Sequence, residues 1–76
     1  MKKLSVDRLA ETVANKRKGK SLTQAQLAEA TGIHRTMIGR LENKSYVPSI
    51  EQLQTLAEVL DFEVTDLFEE EIPQTT

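Results

Sequence analysis

The spacing of apolar residues along most of the chain is that of α-helices, and no stretch alternates long enough to indicate an extended strand. Leu9 and Val13 lie four residues apart and predict the inward face of a first helix over residues 6–18. Ser5 suits the N-cap of this helix, and Gly19 suits its end. The N-terminal part of the chain is therefore predicted to be helical.

The clearest start signal for a helix lies at Thr23. Gln26, three residues later, completes a capping box with Thr23, and Leu22 and Leu27 flank the cap as a hydrophobic staple. This second helix is predicted to end before Gly32, after about two turns. A helix of that length is unstable alone and must pack on its neighbours.

Two further helices follow at short intervals. The third is predicted over residues 35–43, with Ile38 and Leu41 facing inward. Ser49 and Gln52 form a second capping box, which opens the fourth helix. Its predicted apolar stripe consists of Ile50, Leu53, Leu56, Ala57 and Leu60.

The end of the chain completes the predicted fold. Asp61 is expected in a turn, because Asp tolerates the left-handed conformation. A last short helix is predicted to contain Val64, Leu67 and Phe68. Residues 72–76 are expected to fray. The prediction is one all-α domain of five short helices over residues 1–76, with a core over about 5–71.

Composition narrows the class of protein. A chain of 76 residues forms one domain, since cores split only beyond roughly 250 residues. Without Cys it has no disulfide, no thiolate nucleophile and no Cys-ligated zinc, and one His cannot form a His-rich metal site. No apolar run approaches the ~20 residues of a membrane span, and no signal peptide is visible. We expect a soluble cytoplasmic domain without metal, cofactor or membrane partner.

Charge is divided unevenly along the chain. The formal net charge of −2 argues weakly against a nucleic-acid partner. Up to Lys44, however, there are ten basic and four acidic residues, a net of +6, whereas the remainder has eight acids and no base, a net of −8. This asymmetry indicates a basic working surface and a separate acidic region. The alternative is that residues 16–20 are merely a solvated, basic helix end.

The second and third predicted helices together describe a helix-turn-helix. They are separated by about three residues, with Gly32 at the bend and the small Ala28 where the helices cross. His34, Arg35 and Thr36 place hydrogen-bond donors at the start of the third helix. In a recognition helix, that end meets base edges in the major groove.

With these motifs in register, the chain resembles the lambda-repressor-like, or XRE-type, helix-turn-helix family over about residues 9–68. That family includes lambdoid phage repressors and Cro proteins, restriction–modification controller proteins and small bacterial regulators. The motifs are Leu22-Thr23-Gln24, Ala28 with Gly32, Ile38-x-x-Leu41-Glu42-Asn43, Pro48-Ser49 and Leu67-Phe68. The resemblance implies a five-helix fold that binds double-stranded DNA.

The resemblance also implies which residues touch DNA. The base contacts it implies are Arg35, Thr36, Arg40 and His34; the phosphate contacts are Thr23, Gln24, Asn43, Lys44, Ser45 and Tyr46. Four alternatives stay open: Gln24 as a plain first-turn residue, Asn43 as a helix C-cap, Tyr46 packed on the core edge, and a phosphate contact in place of a base contact for one of the two arginines.

Two residues of the third helix depart from the family pattern. His34 replaces the usual Ser or Thr cap, so the cap is weaker or made differently, and its contact is either a base edge or a phosphate. We expect its protonation near pH 6 to strengthen DNA binding. Met37, where a small polar residue is usual, either touches a thymine methyl or covers the core.

Two structural roles complete the prediction, the first from the same resemblance and the second from the apolar character of the C-terminal residues. Arg17 and Glu42 match an internal ion pair that joins the first helix to the third. Phe62, Val64 and Phe68, with Ile72 as an extension, form the expected dimer interface, unless they belong to the monomer's own core.

The leading hypothesis is a sequence-specific transcriptional regulator that acts as a homodimer on a palindromic operator. The alternative is an antitoxin or protein-binding module whose acidic part holds a partner, such as a toxin, and which autoregulates its operon. An enzyme is not expected, because the carboxylates are scattered, no Gly-rich phosphate loop is present, and the His lacks a nucleophile partner.

Overall fold

The computed structural model of the protein describes residues 2–70. Four α-helices form most of it: α1 (Val6–Gly19), α2 (Gln24–Thr31), α3 (Arg35–Glu42) and α4 (Ile50–Leu60). A 3₁₀ helix (Val64–Leu67) follows, and two short strands, β1 (Lys2–Leu4) and β2 (Phe68–Glu70), lie at the two ends of the described chain. The predicted helices at α1 to α4 are thereby confirmed.

Side-chain caps fix where the helices begin. Ser5 Oγ accepts a first-turn backbone N–H of α1 at 3.2 Å. Thr23 Oγ1 accepts the N–H of Gln26 at 3.0 Å while Gln26 Oε1 accepts the N–H of Thr23 at 2.8 Å. Ser49 and Gln52 repeat this exchange at 3.2 and 3.0 Å. Both predicted capping boxes are confirmed, and each satisfies N–H groups that a helix start leaves without an internal partner.

Left-handed residues terminate or follow the helices. Gly32 (φ 75°) ends α2 and Asp61 (φ 59°) ends α4, as predicted. At α1 the prediction is only partly right: Gly19 is the last helical residue, but the left-handed residue is Ser21 (φ 59°). Lys44 (φ 66°) takes the same conformation just after α3. Such residues reverse the chain sharply, which keeps the connections short.

All four helices and the 3₁₀ helix contribute to one apolar core. Its members are Leu9, Val13, Leu27, Ile33, Ile38, Leu41, Leu53, Leu56, Leu60 and Leu67. No polar or charged residue among residues 3–69 is fully buried. Ile50, predicted in the apolar stripe of α4, is 65% exposed. That prediction is wrong because Ile50 is the first residue of α4 and lies off its buried face.

The predicted all-α fold is wrong at the two chain ends. Val64–Leu67 forms only a 3₁₀ turn, and Phe68 is already extended (φ −97°, ψ 136°), so the fifth α-helix does not form. Instead, β2 pairs antiparallel with β1, with Leu4 opposite Phe68 and Lys3 opposite Glu69. The predicted end of the core at residue 71 and the frayed tail at 72–76 lie outside the described residues.

Candidate nucleic-acid interface

The turn between α2 and α3 is held by its own hydrogen bonds. Gly32 donates its backbone N–H to the carbonyl of Ala28 at 2.8 Å. Thr31 Oγ1 donates to the carbonyl of Leu27 at 2.8 Å and accepts the N–H of Ile33 at 3.2 Å. Ile33 is buried in the core and anchors the turn. These bonds set the direction in which α3 leaves α2.

One face of α3 is apolar and buried, and the other is polar and exposed. Ile38 and Leu41 are fully buried against α1 and α2. The predicted base-contact residues are all exposed: His34, Arg35, Thr36 and Arg40. Within residues 2–70, no carboxylate lies in ion-pair distance of the two guanidinium groups on this helix. The exposed face of α3 therefore offers cationic donors to solvent.

The N-cap of α3 is an imidazole. His34 Nδ1 accepts the backbone N–H of Thr36 at 3.1 Å, in the place where a Ser or Thr hydroxyl commonly caps a helix. The cap is thus made differently, as the sequence suggested. Nδ1 can accept this bond only while unprotonated. The expectation that protonation strengthens DNA binding stays a prediction, and the structure adds that a proton on Nδ1 would break this capping bond.

Arg17 and Glu42 join α1 to α3 through two parallel hydrogen bonds. Arg17 Nε donates to Glu42 Oε2 at 2.7 Å, and its Nη2 donates to Oε1 at 3.1 Å. The side chains are only 12% and 9% exposed. The hydrogen bond to Glu42 raises the pKa of Arg17, desolvation opposes that shift, and the charge of Glu42 adds to it. The guanidinium therefore remains charged, and the paired charges lie at the junction of three helices.

Gln24 and Leu22 extend this junction to the start of α2. Gln24 Nε2 donates to Glu42 Oε1 at 3.2 Å, and Arg17 Nη1 donates to the carbonyl of Leu22 at 2.8 Å. The side chain of Gln24 is therefore fixed by its neighbours rather than merely solvated. Its contact with a phosphate stays a prediction. The same holds for the other predicted phosphate contacts.

The turn after α3 carries three of the predicted phosphate contacts, all exposed. Asn43 is the C-cap of α3, the alternative role open for it. Lys44 Nζ lies 3.3 Å from Asp7 Oδ1 in a largely exposed ion pair. Ser45 Oγ donates to the carbonyl of Arg40 at 3.2 Å. These contacts order the turn, and the exposed polar groups remain open to a ligand.

Tyr46 and Thr23, the other two candidates, already have partners within the chain. The ring of Tyr46 packs against the core, and its hydroxyl donates to Gln52 Oε1 at 2.6 Å. The core-edge alternative for Tyr46 therefore describes its position in the fold. Thr23 Oγ1 accepts from the N–H of Gln26 in the capping box. Met37 also packs against the core.

The predicted dimer residues lie in the segment that follows α4 and are half-buried. Phe62 and Val64 pack against the core and also line a shallow groove beside α4. The rest of that groove is lined by Gln54, Ala57, Glu58, Glu63 and Thr65. Phe68 lies in β2 opposite Leu4. Phe62 and Val64 thus belong partly to the monomer's own core, and all three side chains remain partly exposed.

Two features of the structure were not predicted from the sequence. The bond between Gln24 and Glu42 depends on how α2 crosses α3, which no local pattern encodes. Val47, 54% exposed, and Ile50 form exposed apolar positions on either side of Pro48 and Ser49. The apolar periodicity of α4 had predicted that Ile50 is buried.

No group of three or more His, Asp or Glu side chains among residues 2–70 is arranged to hold a metal ion. None of the helices in this range combines the length and apolarity needed to cross a membrane.

The chain is similar to known helix-turn-helix proteins in both sequence and structure. The helix-turn-helix family matches residues 13–67. The chain is 42% identical over 59 residues to the control protein C.SmaI of Serratia marcescens, covering 78% of this chain and 70% of that protein. The restriction–modification controller protein C.AhdI of Aeromonas hydrophila superposes with a TM-score of 0.73 at 28% identity, over 83% and 96% of the two chains. The N-terminal DNA binding domain of SinR from Bacillus subtilis gives 0.73 at 27% identity, over 80% and 90%.

Proposed function

The chain belongs to the XRE-type helix-turn-helix family, and from that membership we propose that it binds double-stranded DNA sequence-specifically and regulates transcription. The observation that carries the proposal is the exposed face of α3. Within residues 2–70, neither Arg35 nor Arg40 on this face forms an ion pair with a carboxylate. Elsewhere in this range, Arg8, Arg17, Lys20 and Lys44 each meet an acid.

Unpaired guanidinium groups on one helix face suit a ligand that supplies acceptors. In the major groove, Arg bonds O6 and N7 of guanine with two parallel hydrogen bonds. Thr36 and Arg40 lie four residues apart and share one face of α3, with Arg35 beside them. We infer that this face reads bases and that at least one guanine is contacted by Arg35 or Arg40.

Phosphate contacts would hold α3 in register on the duplex. The start of α2, at Thr23 and Gln24, and the turn of residues 43–46 flank α3 in sequence and carry exposed or half-buried polar groups. Such contacts position a protein on DNA without reading its sequence. The acids that follow residue 50 would repel phosphate and so disfavour other orientations.

A homodimer on a palindromic operator completes the proposal. Two copies related by a two-fold axis would place their α3 helices in successive major grooves about 34 Å apart. The half-buried apolar side chains of Phe62, Val64 and Phe68 supply the surface for this contact. C.SmaI is a control protein and C.AhdI a restriction–modification controller, and regulation by this chain is inferred from that similarity.

Selection from a random duplex pool tests the function directly. The purified protein is incubated with the pool at ~100 mM salt, and bound sequences are enriched over several rounds and read. We expect a palindromic motif with two half-sites about one helical turn apart. The affinity for the enriched site should fall with salt at a log–log slope of about −0.9 per phosphate contacted.

The matched control is the Arg35→Ala/Arg40→Ala variant, whose changes lie on the exposed face and leave the core intact. It should fold as the wild type does and enrich no motif. Failure of the folded wild-type protein to enrich any sequence would overturn the proposed function. A single half-site without a symmetric partner would overturn the dimer alone.

A further inference from the structure

The capping bond of α3 fixes where His34 carries its proton. Nδ1 accepts the backbone N–H of Thr36 at 3.1 Å, so it has no hydrogen of its own. A neutral imidazole has one N–H, which must then be on Nε2. The ring is exposed, and no residue among 2–70 forms a hydrogen bond with Nε2. His34 therefore offers solvent a donor and no acceptor.

The position of this donor is as well defined as its chemistry. His34 immediately precedes Arg35 and Thr36 at the N-terminal end of α3, the end of a recognition helix that approaches base edges. The capping bond also restrains the ring, because Nδ1 must stay close to a backbone N–H within the helix. The Nε2–H is thus held at one edge of the exposed face of α3.

We propose that His34 is a specificity-determining residue of this interface, whose Nε2–H donates a hydrogen bond to a base acceptor in the major groove. The inference rests on the proposed function. Suitable acceptors are O6 and N7 of guanine, N7 of adenine and O4 of thymine, whereas cytosine presents an amino donor. His34 therefore selects against cytosine at the base it contacts.

A hydroxyl cap would not have this property. A Ser or Thr hydroxyl both donates and accepts, and its hydrogen rotates to suit its partner. The imidazole instead separates the two tasks between its two nitrogens. Nδ1 caps the helix and Nε2 reads the base, so the cap itself dictates the hydrogen-bonding preference of the reader.

Two substitutions separate these tasks. In His34→Asn, the shorter amide carries an oxygen that can cap the helix, but no donor at the position of Nε2. In His34→Gln, the longer amide places a donor near the position of Nε2, while the cap is lost, since Gln is not among the favoured N-cap residues. Thermal unfolding of both variants shows whether each is folded and which retains the cap.

The experiment selects sites from a random duplex pool with wild-type protein, His34→Asn and His34→Gln. We expect His34→Asn to keep the wild-type melting temperature, to lose preference at one base position per half-site, and to bind the wild-type site roughly two- to tenfold more weakly. His34→Gln should melt at a lower temperature yet keep more of that preference than His34→Asn. Nitrogen NMR of the wild-type imidazole should show the proton on Nε2.

Each contrary result overturns the inference. The first two are a motif that is unchanged in His34→Asn and an affinity of His34→Asn that falls equally on all sequences. The other two are a base preference that is stronger in His34→Asn than in His34→Gln, and an NMR spectrum that shows the proton on Nδ1. Any of them leaves the proposed function intact if the wild-type protein still enriches a motif. If the wild-type protein enriches none, the proposed function fails, and this inference fails with it.

Discussion

Gln24, the first residue of α2, donates its side-chain amide to Glu42, the last residue of α3, at 3.2 Å. The same carboxylate oxygen accepts from Arg17 Nη2 at the end of α1. One acidic side chain thus holds the two helices of the helix-turn-helix to each other and to the rest of the fold. A rigid junction of this kind keeps the polar groups of α2 and α3 in fixed relative positions.

The first prediction concerns Gln24. Its amide has a second N–H, which the bond to Glu42 leaves for a phosphate oxygen. Gln24→Ala should weaken binding by about 1 kcal/mol on every DNA sequence, because a phosphate contact does not read bases. Titrations with a specific and a scrambled duplex measure this, and Asn15→Ala, an exposed amide of α1 outside the proposed interfaces, is the control. A loss limited to one base position would contradict the phosphate role.

The second prediction concerns the stability of the ion pair. Arg17→Ala leaves the carboxylate of Glu42 nearly buried without its cation, and should cost about 3–5 kcal/mol of unfolding free energy. Urea denaturation followed by circular dichroism measures the change. Lys44→Ala removes a largely exposed pair with Asp7 and should cost less than about 1 kcal/mol. Equal, small effects of both substitutions would show that Arg17 contributes little to stability.

The third prediction separates the two arginines of α3. Alanine at a base-reading arginine should cost ~1–3 kcal/mol and relax the preference at one position of the site, whereas alanine at a phosphate contact lowers affinity uniformly. Arg35→Ala and Arg40→Ala are therefore compared on a panel of single-base variants of the selected operator. Both residues are exposed, so neither substitution should change the melting temperature. A uniform loss of affinity across the panel for both variants would show that neither arginine reads a base.

The fourth prediction concerns self-association. Val64→Glu places a charge on the half-buried apolar surface beside Phe62, and burying an unpaired carboxylate in an interface is strongly unfavourable. Sedimentation should show a dimer for the wild type and a monomer for this variant. Ile50→Glu, which adds the same charge to an exposed apolar position at the start of α4, should remain dimeric. A folded Val64→Glu dimer would exclude this surface.

Local signals explain what the sequence predicted well. Thr23 with Gln26 and Ser49 with Gln52 form their capping boxes within four residues, so tertiary packing has little influence on them. Gly32 adopts its left-handed turn because it has no Cβ to oppose it. The inward face of α3 follows from helical periodicity in the same way.

Long-range contacts explain what the sequence did not predict. Val64, Leu67 and Phe68 have helical spacing, yet Leu67 accepts a 2.8 Å backbone bond from Ser5, and Phe68 turns into a strand. Three-residue strands contain too few positions to display alternation. The cap made by His34 depends on the orientation of its imidazole ring, and the sequence alone does not give that orientation.

The ribbon of β1 and β2 has a consequence for the order of folding. Contacts among α1, α2, α3 and α4 join segments that lie closer together in sequence than the two ends of the described chain, which the ribbon pairs. Closing so long a loop costs more entropy than closing the turns between helices, and the three residue pairs of the ribbon give little in return. The helical core should form first and the ribbon last. In native-state hydrogen exchange, the amides of the ribbon should open independently of the core, with the smallest protection of any paired segment.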